Sequence, residues 1–242
     1  MTSTSAPVLV VLGAGPGLGM SVAHRFGKEG YAVALISRSA DRHATYLSAL
    51  ADAGVDAAAF TADASDAVQL SQTIDAIRAR FGRIDVGYFG LADPGSVFGD
   101  ITTLDGTGAE AALRGVASAV EFASLVIPEL TERGSGALFF AGGLSSVVPM
   151  PALGGMALAS AALRNYAITL NTALRPAGVY AGTITIGGLI GRSDTHTAIQ
   201  ANPDLAGNLT AATLNPDDLA ETVWQLYSER TEAEAVINAL TT

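Results

Sequence analysis

The stretch VLVVLGAGPGLG, residues 8–19, decides how the rest of the chain is read. Its first five residues are all apolar, long enough for a strand buried on both faces and too short for a buried helix. Glycines at 13, 15, 17 and 19 then make a turn almost without side chains. An amphipathic stretch follows, to about Glu29. Strand, glycine turn and helix start in this order bring free backbone amides and the positive end of a helix dipole to one point. The missing Cβ atoms let a pyrophosphate approach the backbone. A bare glycine pattern is weak evidence, but in the first strand–helix–strand unit of a chain it is a strong sign of a dinucleotide site.

Outward from this unit the same alternation repeats. Residues 32–36, 56–60, 85–89, 137–141, 179–186 and 233–238 read as strands. Residues 41–53, 66–80, about 106–130, 151–174 and 217–227 read as helices. Strands alternating with helices predict a parallel sheet with helices on both faces, an α/β class, and 242 residues suit one domain over 1–242. Residues 1–6 read as a short disordered tail, without the basic and apolar regions of a signal peptide. Residues 187–215 are the one long irregular stretch, and connections of that length commonly cover a bound ligand.

Bulk composition excludes several roles. The net charge is −10, so nucleic acid and anionic membrane surfaces are expected to be repelled. There is no cysteine, which removes disulfides, thiolate catalysis and cysteine-held metal, and fits a cytoplasmic protein. No metal-ligand spacing stands out. Residues 134–163 carry no charge, but Pro149, Pro151 and the pairs Gly142-Gly143 and Gly154-Gly155 break the run before it spans a bilayer.

The residue after the second strand chooses the dinucleotide. Ile36-Ser37-Arg38 has no acid there for a ribose 2′-hydroxyl. Ser37 and Arg38 suit a 2′-phosphate instead, which a guanidinium grips with two hydrogen bonds. Arg42 and His43 follow closely. This points to NADP(H).

The glycines at 13, 17 and 19 also spell G-x-x-x-G-x-G, and with this spacing the chain resembles the short-chain dehydrogenase/reductase family over nearly its whole length. Asp63 in TADASD looks like the family's aspartate that holds the adenine amino group, and residues 82–86, GRIDV, look like its lead-in to the fourth strand. Gly187-Gly188 stands where the family has Pro-Gly after the sixth strand. The resemblance implies a doubly wound Rossmann-type sheet of about seven strands in the order 3-2-1-4-5-6-7. It also implies a cofactor set of Gly13, Gly15, Gly17, Leu18, Gly19, Ser37, Arg38, Asp63 and Gly188. It implies a homo-oligomer, a dimer through helices 106–130 and 151–174 or a tetramer using the last strand as well; alanines on several faces of both helices suit close approach.

The same resemblance raises a difficulty. The family's acid is a tyrosine in Y-x-x-x-K. Laid on residues 156–163, MALASAAL, that pattern turns tyrosine into Met156 and lysine into Ser160. The family's serine falls near Gly143, its asparagine near Gly115, and its NNAG becomes Phe89-Gly90-Leu91-Ala92. A thioether is no acid at any useful pH. Three readings stay open. The acid has moved, with Ser145, Ser146, Tyr88, Asp93, Asp194 and His196 as places to look. Or the substrate needs no acid, as with an iminium or a conjugated acceptor in a site lined by Phe89, Leu91, Leu144 and Met156. Or the fold serves a non-redox step, or binds cofactor as a partner subunit. The expected function is an atypical NADPH-dependent reductase of a small, largely apolar, easily reduced molecule, with Ser145, Ser146, Met156, Ser160 and His196 in its catalytic region.

Overall fold

The computed structural model describes residues 6–91, 99–202 and 212–240. Its elements follow the expected alternation: β1 (Val8–Leu12), α1 (Leu18–Lys28), β2 (Ala32–Ser37), α2 (His43–Asp52), β3 (Ala57–Thr61), α3 (Ala67–Phe81) and β4 (Val86–Phe89). Then come α4 (Gly106–Arg133), β5 (Gly136–Gly143), α5 (Gly154–Leu174), β6 (Val179–Gly187), β7 (Leu189–Ile190), α6 (Asp194–Ala201), β8 (Thr213–Leu214), α7 (Pro216–Glu229) and β9 (Glu234–Asn238). Seven strands form one sheet in the order β3-β2-β1-β4-β5-β6-β9, every pair parallel. This is the expected order, the seventh strand of the sheet being β9 because two short strands precede it.

A parallel sheet must be covered on both faces, and the sequence provides for this. β1, β4 and β6 are buried along their whole length. Alternate residues feed two cores. Leu9, Val11, Val33 and Leu35 face α1 and α7, where Phe26, Val22, Leu219 and Val223 meet them. Val10, Leu12, Ala34 and Ile36 face the other way, onto Ile74, Ile77, Phe122 and Val126 of α3 and α4. Each fully buried aliphatic or phenyl side chain contributes about 1.5–3 kcal/mol. Polar side chains set the helix starts. Asp66, Asp105, Ser193 and Asn215 each accept a backbone N–H at the start of α3, α4, α6 and α7.

Two expectations change. The helix expected over about 106–130 runs on to Arg133, with Pro128 inside it. The stretch 187–215 is not irregular throughout. It contains β7, α6 and β8, with β7 and β8 paired in parallel as a second small sheet. Their two-residue length leaves no periodicity to read. The remainder of that stretch, 203–211, lies outside the described residues, as does the tail at 1–5.

The last strand is held by charge. Glu234 on β9 accepts from Arg164 Nε at 2.7 Å and Nη2 at 2.5 Å, and from Thr185 Oγ1 at 2.6 Å. Burial pushes the Glu234 carboxyl up, but the hydrogen bonds from Arg164 and Thr185 and the guanidinium charge outweigh it and hold the group below its usual value. A depressed folded value stabilises the fold above the unfolded pKa of about 4.3 and loses that contribution as pH falls through the folded value. Glu234→Gln is therefore expected to lower the melting temperature at pH 7, and the gap to wild type should close below about pH 4. A gap of equal size at pH 7 and pH 3 in thermal melts would count against this account.

Candidate active site

All strands of the large sheet run the same way, so their C-terminal ends share one edge. The order reverses between β1 and β4, and in sheets of this kind the ligand crevice lies at that switch point. The glycine turn lies at this point. Gly13 has φ +98°, and its N–H and that of Ala14 both donate to the Ile36 carbonyl at 3.0 Å. A Cβ on Gly13 would stand 2.6 Å from the Gly90 carbonyl oxygen, and one on Gly19 would stand 2.7 Å from the Gly13 oxygen. Gly15 faces open space. α1 begins at Leu18 with no side-chain cap and no acid in its first turn. Such a turn suits a pyrophosphate in its uncapped helix start, its lack of an acid in the first turn and its open Gly15, with Ser193 packed against Gly17 beside it.

At the end of β2, Ser37 Oγ lies 2.7 Å from His43 Nε2 and donates to the Ser39 carbonyl. This closes residues 37–43 into a small loop carrying Arg38, which is exposed and makes no ion pair among the described residues. Past β3, the exposed Asp63 accepts from the Ser65 N–H at 2.9 Å and hydroxyl at 2.7 Å. These bonds, more than the charge of Arg38, hold its carboxyl below the usual range. Gly188 has another neighbour than the crevice: its missing side chain admits Leu214, whose Cδ1 would be 2.6 Å from a Cβ.

Further along the edge, β5 ends in Gly142-Gly143, and a one-turn helix at 144–146 leads toward α5. A Cβ on Gly143 would be 3.0 Å from Ser160 Oγ, 3.4 Å from Ser145 Oγ and 3.9 Å from Met156 Cε. These three residues from two elements thus converge on the space a side chain would take. Ser145 and Ser160 are only 8% and 7% exposed, and the Ser145 hydroxyl has no hydrogen-bond partner. The buried Ser146 hydroxyl has none either. A buried hydroxyl without a partner is costly and commonly marks a place where a ligand or water completes the bonding.

Other expected groups lie elsewhere. Phe89 and Leu144 belong to the core, at 2% and 3% exposure, so of the expected apolar lining Met156 stands at the ring and Leu91 is exposed. Tyr88 is buried within the sheet, and burial pushes its phenol well above the usual value. Tyr166 packs edge-on against Phe140, with ring centroids 5.6 Å apart. His196 sits in the first turn of α6, where its backbone N–H donates to Ser193 Oγ, and no hydrogen bond joins its ring to the Gly143 ring of residues. Asp93 and Ala92 lie outside the described residues. Among the described residues no group of three or more His, Asp or Glu could hold a metal ion.

Sequence reading missed Arg192 and Ser193, and took Asp194 as a possible acid where the structure places it in an ion pair. Ser193 lies against Gly17, 3.1 Å from where its Cβ would be. Asp194 pairs with Arg42, and Arg192 with Asp217 and the Ser21 hydroxyl. The available signal was Ser193 followed by Asp194, an N-cap with an acid in the first helical turn.

A doubly wound sheet with a glycine turn at its switch point is an architecture shared by dinucleotide-binding domains. Residues 7–203 match the profile of the short chain dehydrogenase family, and the chain belongs to that family. It is 33% identical over 95 residues to a putative ketoacyl reductase of Streptomyces coelicolor, an alignment covering 39% of this chain and 36% of that one. Its fold is similar to that of an actinorhodin polyketide ketoreductase solved with NADPH (TM-score 0.86, 18% identity, 97% of this chain and 96% of that one). It is also similar to that of L-sorbose reductase from Gluconobacter frateurii, solved with NADPH and L-sorbose (TM-score 0.79, 21% identity, 97% and 96% covered).

The turn's geometry separates its glycines. Gly13→Ala forces a left-handed φ and a clash with backbone, and should cost about 2 kcal/mol or more. Gly15→Ala meets open space and should leave the melting temperature within about 1 °C of wild type. Equal destabilisation by both in thermal melts would contradict this.

Proposed function

We propose that this chain is an NADP(H)-dependent reductase, working as one domain over residues 1–242, whose substrate is small, largely apolar and easily reduced: an imine, an iminium or a conjugated carbonyl. The observation that carries the reading is the ring of residues round Gly143. It holds two buried serine hydroxyls and a thioether, and no group that ionises near neutral pH.

Gly13, Gly15, Gly17, Leu18 and Gly19 would hold the pyrophosphate, Ser37 and Arg38 the 2′-phosphate, and Asp63 the adenine amino group. Gly188 contributes by shaping the turn after β6. Support comes from Arg38, which makes no ion pair among the described residues, and from two relatives in fold whose structures hold NADPH. When bound, the reduced nicotinamide supplies a hydride. The chain's own part is to place and polarise the acceptor. Ser145 and Ser160 can donate hydrogen bonds to a substrate oxygen or nitrogen beside Gly143, while Met156 excludes water. Neither hydroxyl releases a proton near neutral pH. General acid catalysis is worth about 10²–10⁴-fold, or roughly 3–5 kcal/mol of barrier. Without it, the favoured acceptors are those already positive, or those that take their proton later from solvent. Ser146 and His196 are the remaining groups through which a proton could be passed, and unchanged activity of His196→Ala from pH 5 to 9 would remove His196. A non-redox role has no observation in its favour, and the relatives named above are reductases.

The assembly we propose is a homodimer through α4 and α5. Only 28% of the most apolar 18-residue window of α4 is buried, although the helix is apolar and long enough to cross a membrane. Leu113 and Val120 on α4 and Leu158 on α5 are exposed. A monomer by light scattering at micromolar concentration would overturn this assembly.

The function is tested by calorimetric titration and then by turnover. NADPH should bind more tightly than NADH, and Arg38→Ala should remove most of the difference. Cyclic imines and enones should be reduced at least about 10²-fold faster than matched saturated ketones. Equal rates for all three classes would mean a working acid is present and the reading of the Gly143 ring is wrong.

A further inference from the structure

Arg42 and Asp194 are 152 positions apart in sequence and meet in a fork. Arg42 Nη1 donates to Asp194 Oδ2 at 2.9 Å, and Nη2 lies 2.8 Å from Oδ1. Arg42 is the residue before α2, at the far end of the loop that begins with Ser37 and Arg38. Asp194 is the first residue of α6, on the segment that lies against the glycine turn through Ser193. The pair therefore joins the β2 end of the crevice to the segment at its middle. The same segment is tied down by Arg192, which donates to Ser21 Oγ at 2.9 Å and to Asp217 Oδ1 at 2.5 Å.

Two arginines lie on the 37–43 loop that carries the place proposed for the 2′-phosphate, and they differ. Arg38 makes no ion pair among the described residues, whereas Arg42 is taken by a carboxylate. A carboxylate and a phosphate present the same paired oxygens to a guanidinium. We infer that Asp194 is a cofactor-discriminating residue: it holds Arg42 in the absence of cofactor, and the 2′-phosphate of NADP(H) takes its place. NAD(H) has no such phosphate and leaves the pair closed. The inference rests on the NADP(H) reading above. Both side chains are half-exposed, at 53% and 56%, and exposed ion pairs are weak enough for a phosphate to displace. The exchange therefore costs NADP(H) a small factor, about two- to five-fold in affinity.

The test is a double-mutant cycle read by calorimetric titration with NADPH and with NADH. Asp194→Asn should tighten NADPH about two- to five-fold and leave NADH unchanged. Arg42→Ala should weaken NADPH, and in that background Asp194→Asn should have no effect. Hydrogen exchange at residues 194–198 should rise when wild type is saturated with NADPH and not with NADH. Asp194→Ser serves as a second variant should Asn alter the start of α6. Unchanged NADPH affinity in both Asp194 variants, equal tightening of both cofactors, or an effect that persists without Arg42 would overturn the exchange while leaving the cofactor reading intact. A wild type that binds neither nucleotide would overturn that reading and this inference with it.

Discussion

At Gly13 three strands meet through backbone alone. Its N–H and that of Ala14 share the Ile36 carbonyl at the end of β2, while the Gly90 N–H just past β4 donates to Leu12 at 2.9 Å. No side chain fits between the turn and Gly90. This close approach lets β1 sit between β2 and β4 with its C-terminal end open. It also turns the chain sharply enough for α1 to start at Leu18, with no side-chain cap on its first amides. A larger residue at 13 would push the turn away from β4, and the uncapped helix start would no longer lie at the switch point. The site depends on the strand order, and the strand order at this edge depends on a missing methyl group.

The covering of the sheet follows from the same constraint. A central parallel strand has no face to give to water, so β1 is apolar at every position and its neighbours are nearly so. The charges that stabilise the chain are pushed to its margins. Asp85, just before β4, accepts the Val8 N–H at 2.9 Å and pairs with Arg83, while Glu234 on the edge strand β9 takes Arg164. Buried carboxylates are tolerated only where their oxygens are filled, and in both places arginine and backbone or hydroxyl donors fill them.

How much of this was legible depends on the length over which a signal repeats. β1, β6 and the long helices α4 and α5 carry runs that no other structure accommodates, and the strand order follows from the alternation once the glycine turn is read. β7 and β8 have two residues each, so neither a period nor an apolar run can show them. The Arg42–Asp194 pair was invisible for another reason: charged residues 152 positions apart have no local signature, and only the path of the chain after β6 brings them together. In the site, the positions of Gly143, Met156 and Ser160 could be matched to a pattern, but their convergence could not. The role of Ser145 was legible only as a loop serine. Its burial and its unfilled hydroxyl are consequences of the one-turn helix at 144–146, which a six-residue stretch of small residues does not announce.

That convergence bears on how the ring should be understood. The contacts round Gly143 are close ones. A Cβ at that position would sit 3.0 Å from Ser160 Oγ, closer than ordinary van der Waals contact, with Ser145 Oγ at 3.4 Å closing the other side. A side chain at 143 would therefore require Ser160 to give way by a few tenths of an ångström. The residues at 143, 145, 156 and 160 fit one another as a set. Interiors pack closely enough that such a set resists change one member at a time. The side chains that converge on Gly143 are thus two hydroxyls and a thioether in mutual contact range.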